Sequence, residues 1–325
     1  MDWLYIAASG GVGAFKRTND HWQEANWRAL DPEVTSISAG GGHVFAGTVD
    51  GVFRSDDQGN SWEPMNDGLT LPHIRWLAQH PAEPTRILAG TEPAGIFVSS
   101  DEGRSWTGHE RIAELRDTYG WYLPYSPESG CVRGFALHGD RAYGAVEQGG
   151  LLRSDDRGNS WRLVEGATGD PNAEIPAGHM QLDVHSVDVH ISSPDLVFAP
   201  TGGGLYRSEN GGDTWTELYD CYCRAVWDDP EDPDHLIFGP ADGVDRRGRI
   251  EETHDGGRSW SSVNEGTEAP WPHHMVERFL QVDDDLLAVL SNGELLATSL
   301  SDLRWERILP QIDDVQAIAI AVNGG

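Results

Sequence analysis

Four segments of the chain read alike, and each carries a charged residue directly after its first apolar one or after a cysteine. They are Ile74-Arg-Trp-Leu-Ala-Gln-His-Pro, Val132-Arg-Gly-Phe, Val184-His-Ser-Val-Asp-Val-His and Cys223-Arg-Ala-Val-Trp-Asp-Asp-Pro. One register therefore holds Arg75, Arg133, His185 and Arg224. Three further segments place Glu277, Gln316 and Thr35 there, although the alignment around Val276-Glu-Arg-Phe is ambiguous by one residue and Arg278 can take the place of Glu277. Guanidinium groups are planar, keep their charge and grip carboxylate, sulfate or phosphate through paired N–H donors. If the equivalent positions converge, three arginines form a fixed anion site. The other reading is that they pair with Glu277, Glu147 or Asp183 to satisfy buried polarity.

A second group of residues could move protons. His73, His179, His185, His273 and His274 are expected near the same place, with Glu277, Tyr222, Asp183 and Cys223 close to one or another in sequence. Imidazole titrates near neutrality and serves as acid, base or metal ligand. The expected catalytic groups are His185, Glu277, His273 and His274. The expected ligand-binding groups are Arg75, Arg133, Arg224, Arg278, His73, Tyr222 and Trp121. No His-Glu-x-x-His spacing occurs, so a metal would have to be assembled from separate parts of the chain, and metal and cofactor stay unassigned. Gly40-Gly-Gly42 and Gly202-Gly-Gly204 lack the following Lys-Ser or Lys-Thr of a phosphate loop and are read as tight turns.

What positions these residues is a repeat. Gly51-Val-Phe-Arg-Ser-Asp-Asp-Gln-Gly-Asn-Ser-Trp62 recurs at 95–106, 150–161 and 204–215, a fifth copy ends at Trp260, and degenerate copies end near Trp22 and at Trp305. The tryptophans lie 40, 44, 55, 54, 45 and 45 residues apart, the period of a four-stranded propeller blade. Period-2 apolar segments punctuated by Gly, Pro and Asp fit strands, with little sign of long amphipathic helix. The expected fold is all-β: a single domain over 1–325, built as a seven-bladed β-propeller of four-stranded antiparallel blades. The apolar run 315–322 reads as an innermost strand with no blade after it, and Trp3-Leu-Tyr-Ile-Ala as a second strand with none before it. Pairing them closes the ring and removes the open sheet edges.

The Ser-x-Asp-x-Gly-x-(Ser/Thr)-Trp pattern resembles the Asp-box, or BNR, repeat of sialidases, sortilin-type receptors and photosystem II assembly factors related to Ycf48. The resemblance implies the propeller fold and leaves function open. In sialidases an arginine triad holds the sugar carboxylate, which invites comparison with Arg75, Arg133 and Arg224. Sialidase propellers have six blades, however, and neither the Phe-Arg-Ile-Pro segment nor a Tyr–Glu nucleophile pair is identified in this chain.

The two long spacings come from insertions at 108–130, with Tyr119, Trp121, Tyr122 and Tyr125, and at 165–182, with His179 and Met180. Insertions in repeat proteins gather on the binding face, which places the expected site at the channel mouth opposite the repeated turns. A third insertion, 242–249, opens to the same mouth. The solvated run Asp283-Asp-Asp285 is read as a turn.

Composition narrows the partners. There are 53 Asp and Glu against 23 Lys and Arg, giving a formal charge of −30, which disfavours nucleic acid and anionic membranes. No apolar stretch is long enough to cross a bilayer and the first residues lack a signal-peptide pattern, so the expectation is a cytoplasmic protein. A single lysine, Lys16, against 22 arginines resembles the acidic proteins of salt-in halophilic archaea. Three cysteines make neither a disulfide framework nor a cysteine-only zinc site.

Two functional classes follow. One is a small-molecule site for an anionic, carboxylate- or sugar-like ligand at the channel mouth, of a glycosyl hydrolase-like hydrolase or lyase. The alternative is a non-catalytic protein-binding or assembly propeller of the Ycf48-like type, with the aromatic insertion around Trp121 as the partner surface.

Overall fold

The computed structural model describes residues 2–18, 21–123 and 130–321. Seven four-stranded antiparallel sheets succeed one another, and the chain is a seven-bladed β-propeller. In chain order, the innermost strands of blades 2 to 7 are Val34–Gly40, Ile74–His80, Cys131–His138, Asp188–Val189, Tyr222–Asp229 and Val276–Val282. Blade 1 joins the two ends of the chain. Its innermost strand, Val315–Ala321, pairs antiparallel with Trp3–Ala8, followed by Gly11–Thr18 and His21–Arg28.

The second and third strands of each blade are buried on both faces, so they are apolar at successive positions as well as at alternate ones, while the outermost strands are exposed. Ile87, Leu88 and Ala89 of blade 3 are all fully buried, alternating between the blade before and the blade after. The core is accordingly divided into seven apolar clusters, one at each interface between adjacent blades. Trp106 and Trp305 lock such interfaces by donating their indole N–H to Met65 O at 2.8 Å and to Val263 O at 2.9 Å in the preceding blade.

The turn between third and fourth strands repeats in detail. In blade 2, the Ser55 hydroxyl donates to Asp57 Oδ1 (2.8 Å) and accepts the Gly59 N–H (2.8 Å). Asp57 in turn accepts the Ser61 N–H (2.8 Å) and hydroxyl (2.7 Å). The same set recurs around Asp101, Asp156 and Asp255. Gly59, Gly103, Gly158, Gly212 and Gly257 all have φ between 80° and 93°, so the turn requires left-handed backbone at this place, where a side chain would be strained.

The sequence pattern missed one element: the insertion at 108–130 contains a helix, Glu110–Tyr119. Only Ile112 and Leu115 of it are buried, too narrow an apolar stripe to stand out from the strand pattern. Gly120 ends it in the left-handed conformation. Among the described residues, no helix is long and apolar enough to cross a membrane.

These turns predict an acid-sensitive stability. The Ser259 hydroxyl, and then its N–H and the Thr253 hydroxyl, hold the Asp255 carboxyl down to about 2. A depressed carboxyl contributes stability above its unfolded value of 3.8, and that contribution is lost as pH falls toward about 2. Blade 5 carries Asn210 in the same place and donates to Thr214 Oγ1 instead. Denaturant midpoints measured from pH 5 to about 2 should fall less steeply for Asp255→Asn than for the unaltered protein, and an equal slope would show that the carboxylate gains nothing from its turn.

Candidate functional site

On the face opposite the Ser–Asp turns, the channel opens into a cavity of about 660 Å³. Its wall is made at the start of each innermost strand by one extra residue. The pairing with the second strand slips between Val34 and Ser36, Ile74 and Trp76, Val132 and Gly134, Cys223 and Val226, and Val276 and Arg278, and in blade 1 opposite Ala7 and Ala8. In blade 5 the Val184–Thr201 bridge and the Asp188–Phe198 pair enclose one more residue on the inner strand than on its neighbour. A bulge of this kind leaves a residue out of the ladder and re-aims its side chain.

The residues at the slips are Thr35, Arg75, Arg133, Arg224, Glu277 and Gln316, and His185 follows the blade 5 bridge. All seven line the cavity, as does Arg278. Tyr222 lines it too, together with the carboxyls of Glu33, Glu147, Asp183 and Asp188.

The arginines of the ring are paired. Arg133 contacts Glu147 at 3.1 Å and Glu277 at 3.7 Å, while Arg224 contacts the other oxygen of Glu277. Arg75 contacts Glu92 at 3.4 Å. From Arg224 the network runs on: its Nε and Nη2 donate to the Tyr222 hydroxyl at 3.2 and 3.1 Å, which lies 3.3 Å from His185 Nε2. His185 Nδ1 is 2.8 Å from Cys223 O, and its Nε2 is 3.3 Å from Asp183 Oδ2. Burial pushes the Asp183 carboxyl up, but the His185 hydrogen bond and charge outweigh it and hold the group below the usual range. Burial also raises the Tyr222 phenol, against the pull of Arg224.

Arg278 is different. It makes no hydrogen bond or ion pair among the described residues, and its Nε is buried without a partner. From blade 7 it reaches across the axis to lie over the Trp76 ring of blade 3, 4.8 Å from the centroid. Burial, with the charges of Arg133 and Arg75 and against that of Glu277, presses it down to about 10. The guanidinium stays charged near neutrality and lacks a counter-ion.

Asp188 hydrogen-bonds to Asp228 of the next blade, and burial first, then the neighbouring carboxyl, raises it well above the usual range. The two carboxyls together retain a proton to higher pH than either would alone. Glu147, Asp183 and His185 offer ligand atoms within 4.8 Å of one another and could hold a cation, although the Arg133 guanidinium already lies on Glu147.

Several expected site residues lie elsewhere. Trp121 is 2% exposed and packs with Ile112, Leu115 and Val132, its indole N–H donating to Gly169 O at 2.7 Å. It ties the two insertions together and faces no ligand. His273 is exposed, and His274 packs on Trp271, which is bridged to Gly248. Neither lines the cavity, because that stretch passes along the inserted loop before the strand begins. His73 lies half-buried beside Glu92 and Arg75, its imidazole lowered first by burial, and is also outside the lining. His179 is outside it as well, and Tyr125 lies outside the described residues. Sequence reasoning missed Trp76, Asp188 and Asp228. All three are on innermost strands, and polar residues on strands buried on both faces were the available signal.

The charge network predicts the effect of removing its shared carboxylate. Glu277→Gln leaves Arg133 and Arg224 facing each other and should destabilise the fold by about 3 kcal/mol, with much of the loss recovered in sulfate. Denaturant unfolding in chloride and in sulfate reads both, and an unchanged midpoint would mean that water already screens the pair.

No family model matches the chain. A curated protein, "Probable oligoxyloglucan-reducing end-specific xyloglucanase" of Neosartorya fischeri, is 23% identical over 244 residues, 66% of this chain and 27% of that protein. The chain thus spans about a quarter of the length of the curated relative it matches. Among solved structures, the GH74 xyloglucanase from Xanthomonas campestris superimposes with a TM-score of 0.63 at 18% identity, over 95% of this chain and 47% of that one. YCF48 from Cyanidioschyzon merolae gives 0.62 at 13%, over 95% and 91%. YCF48 bound to D1 peptide gives 0.61 at 15%, over 91% and 87%. The chain has the propeller fold that these proteins share.

Proposed function

We propose that the channel mouth binds a small, carboxylate-bearing, sugar-like ligand, with its carboxylate on Arg278. The observation that carries this reading is a half-buried guanidinium whose Nε is buried without a partner and which has no counter-ion among the described residues, in a wall whose other arginines have theirs. An uncompensated buried charge is costly, and an incoming carboxylate removes that cost through charge-assisted hydrogen bonds. Val187, Val226 and Phe279 of the lining offer apolar surface for a sugar ring, and the carboxylates of Glu147, Asp183 and Glu277 offer acceptors for hydroxyls.

The same wall suits acid–base chemistry on that ligand. Asp188, its carboxyl raised by burial and by Asp228, is the proton donor, and Asp183, its carboxyl lowered by His185, is an acceptor. Asp188 replaces His273 and His274 in the acid–base role. The partial likeness to xyloglucanases supports saccharide hydrolysis as the reaction class.

A second reading, a peptide-binding propeller, is favoured by the extent of the likeness to YCF48, of which the chain covers 87% to 91%, against 47% of the Xanthomonas xyloglucanase. The acidic composition with one lysine fits a protein working in molar salt, where self-repulsion of the −30 charge is screened.

Arg278→Gln separates binding from folding. Without ligand it should be at least as stable as the unaltered protein, because an unpaired charge is removed. Isothermal titration with glucuronate, galacturonate, neutral sugars and simple dicarboxylates should show carboxylate binding to the unaltered protein and at least about tenfold weaker binding, or 1.4 kcal/mol, to the variant. Equal affinity in both would overturn the site, and no binding across the panel would favour the peptide reading. Thermal midpoints should also rise steadily from dilute buffer to molar KCl; a flat or falling profile would count against adaptation to salt.

A further inference from the structure

On the opposite side of the molecule from the channel mouth, blade 6 departs from its sister blades in a way that creates a different chemistry. Its second strand is Asp232–Ala241 and its third is Glu251–Thr253, paired so that Leu236 faces Thr253 and Ile237 faces Glu252. One step beyond, His235 and His254 stand across from each other with their rings stacked at 4.1 Å and 19°. Glu252 projects from the same side as His254, two residues away.

In blades 2, 4 and 5 the residues flanking the turn serine form an ion pair: Arg54 with Asp56 at 2.8 Å, Arg153 with Asp155 at 3.0 Å and Arg207 with Glu209 at 3.2 Å. Blade 6 has Glu252 and His254 in these places. The cation of the repeat has become an anion, the anion has become an imidazole, and the second strand adds a second imidazole.

We propose that His235, Glu252 and His254 bind a divalent first-row transition ion, of which zinc fits the ligand set and spacing. Their ligand atoms all lie within 4.8 Å of one another. Glu252 Oε1 is 2.9 Å from His235 Nε2 and 3.2 Å from His254 Nε2. Zinc bonds of about 2.0–2.1 Å at tetrahedral angles separate ligand atoms by about 3.3 Å, so both carboxylate–imidazole spacings already fit, and the exposed His254 ring has to turn out of its stack on His235 to aim its nitrogen at the ion.

Two nitrogens and a carboxylate oxygen suit zinc, nickel or iron better than calcium or magnesium, which take oxygen ligands. The outer support is also present. His235 Nδ1 lies 2.7 Å from Asp229 Oδ2, which fixes the ring and leaves Nε2 for the metal, and the Trp227 ring packs edge-on at 5.3 Å. The His235 and Glu252 side chains are 12% exposed and that of His254 is 65% exposed, giving a held base and an open side by which the ion enters. Three protein ligands leave a coordination position for water or an outside ligand. This site is independent of the channel and of the function proposed for it.

The test uses the untagged full chain stripped with chelator, titrated with Zn2+ alone and with Co2+ as a spectroscopic probe. The expected result is one equivalent bound with a dissociation constant in the micromolar range or tighter, and Co2+ absorption of low-coordinate type. His254→Ala, an exposed change that leaves the core intact, should weaken binding at least tenfold, as should Glu252→Gln. Asp183→Asn in the channel should leave it unchanged. Absence of binding would overturn the proposal, and so would stoichiometric binding that survives His254→Ala or that is lost with Asp183→Asn.

Discussion

Seven innermost strands must converge on one axis, and in each of them one additional residue interrupts the ladder where the strand begins. That interruption is the constraint on which the channel depends. A regular strand buried on both faces gives alternate side chains to the two neighbouring blades and none to the axis. The bulge places Arg75, Arg133, Arg224 and Glu277 on the channel while Ile74, Val132, Cys223 and Val276, one residue earlier, stay at the blade interfaces with no exposure. Polar chemistry and apolar packing are thereby served by adjacent residues of one strand.

Charge inside the channel follows from this geometry. Residues at equivalent positions are brought together whatever their sign, so Glu277 lies between Arg133 and Arg224, and Glu147 supports Arg133 from the second strand of its blade. The ring is therefore not the uniformly basic anion trap that three arginines in register imply. The unpaired charge is one residue further along the blade 7 strand, at Arg278, which reaches the axis beside the bulge and finds the Trp76 ring rather than a carboxylate. Specificity in such a site comes from one uncompensated group among many compensated ones, because only that group gains from a ligand what it has not already gained from the protein.

The repeat was legible because its turn chemistry is local: serine, aspartate and glycine bond to one another within a few residues, so the pattern survives in sequence and the blade count follows. The ring was legible for the same reason, since Ile74-Arg75 and Cys223-Arg224 carry the same step from buried to channel-facing. Trp121, His73, His273 and His274 were not, because they belong to connections whose paths no repeat constrains. Trp121 looked like a binding residue by type, yet its indole is consumed in joining two insertions. Pairings between blades, such as Asp188 with Asp228 or Arg278 with Trp76, were invisible because they depend on the height and reach of side chains around a closed ring.

Blade 6 shows how a repeat can hide chemistry as well as reveal it. Aligning copies to find what they share discards the departures, and Glu252 and His254 are departures. The turn around Asp255 keeps its hydrogen bonds, with Thr253 and Ser259 in their usual roles, so the fold places no demand on the residues at 252 and 254. Sister blades fill these places with an ion pair that neutralises itself. Glu252 instead contacts both imidazoles, which concentrates donors on one side of the sheet, with Asp229 aligning one ring from behind. Because the backbone there is already held by the turn, and Asp229 and burial fix His235 and Glu252, two of the three ligands are positioned by the scaffold before any ion arrives, and only the exposed His254 has to turn onto it.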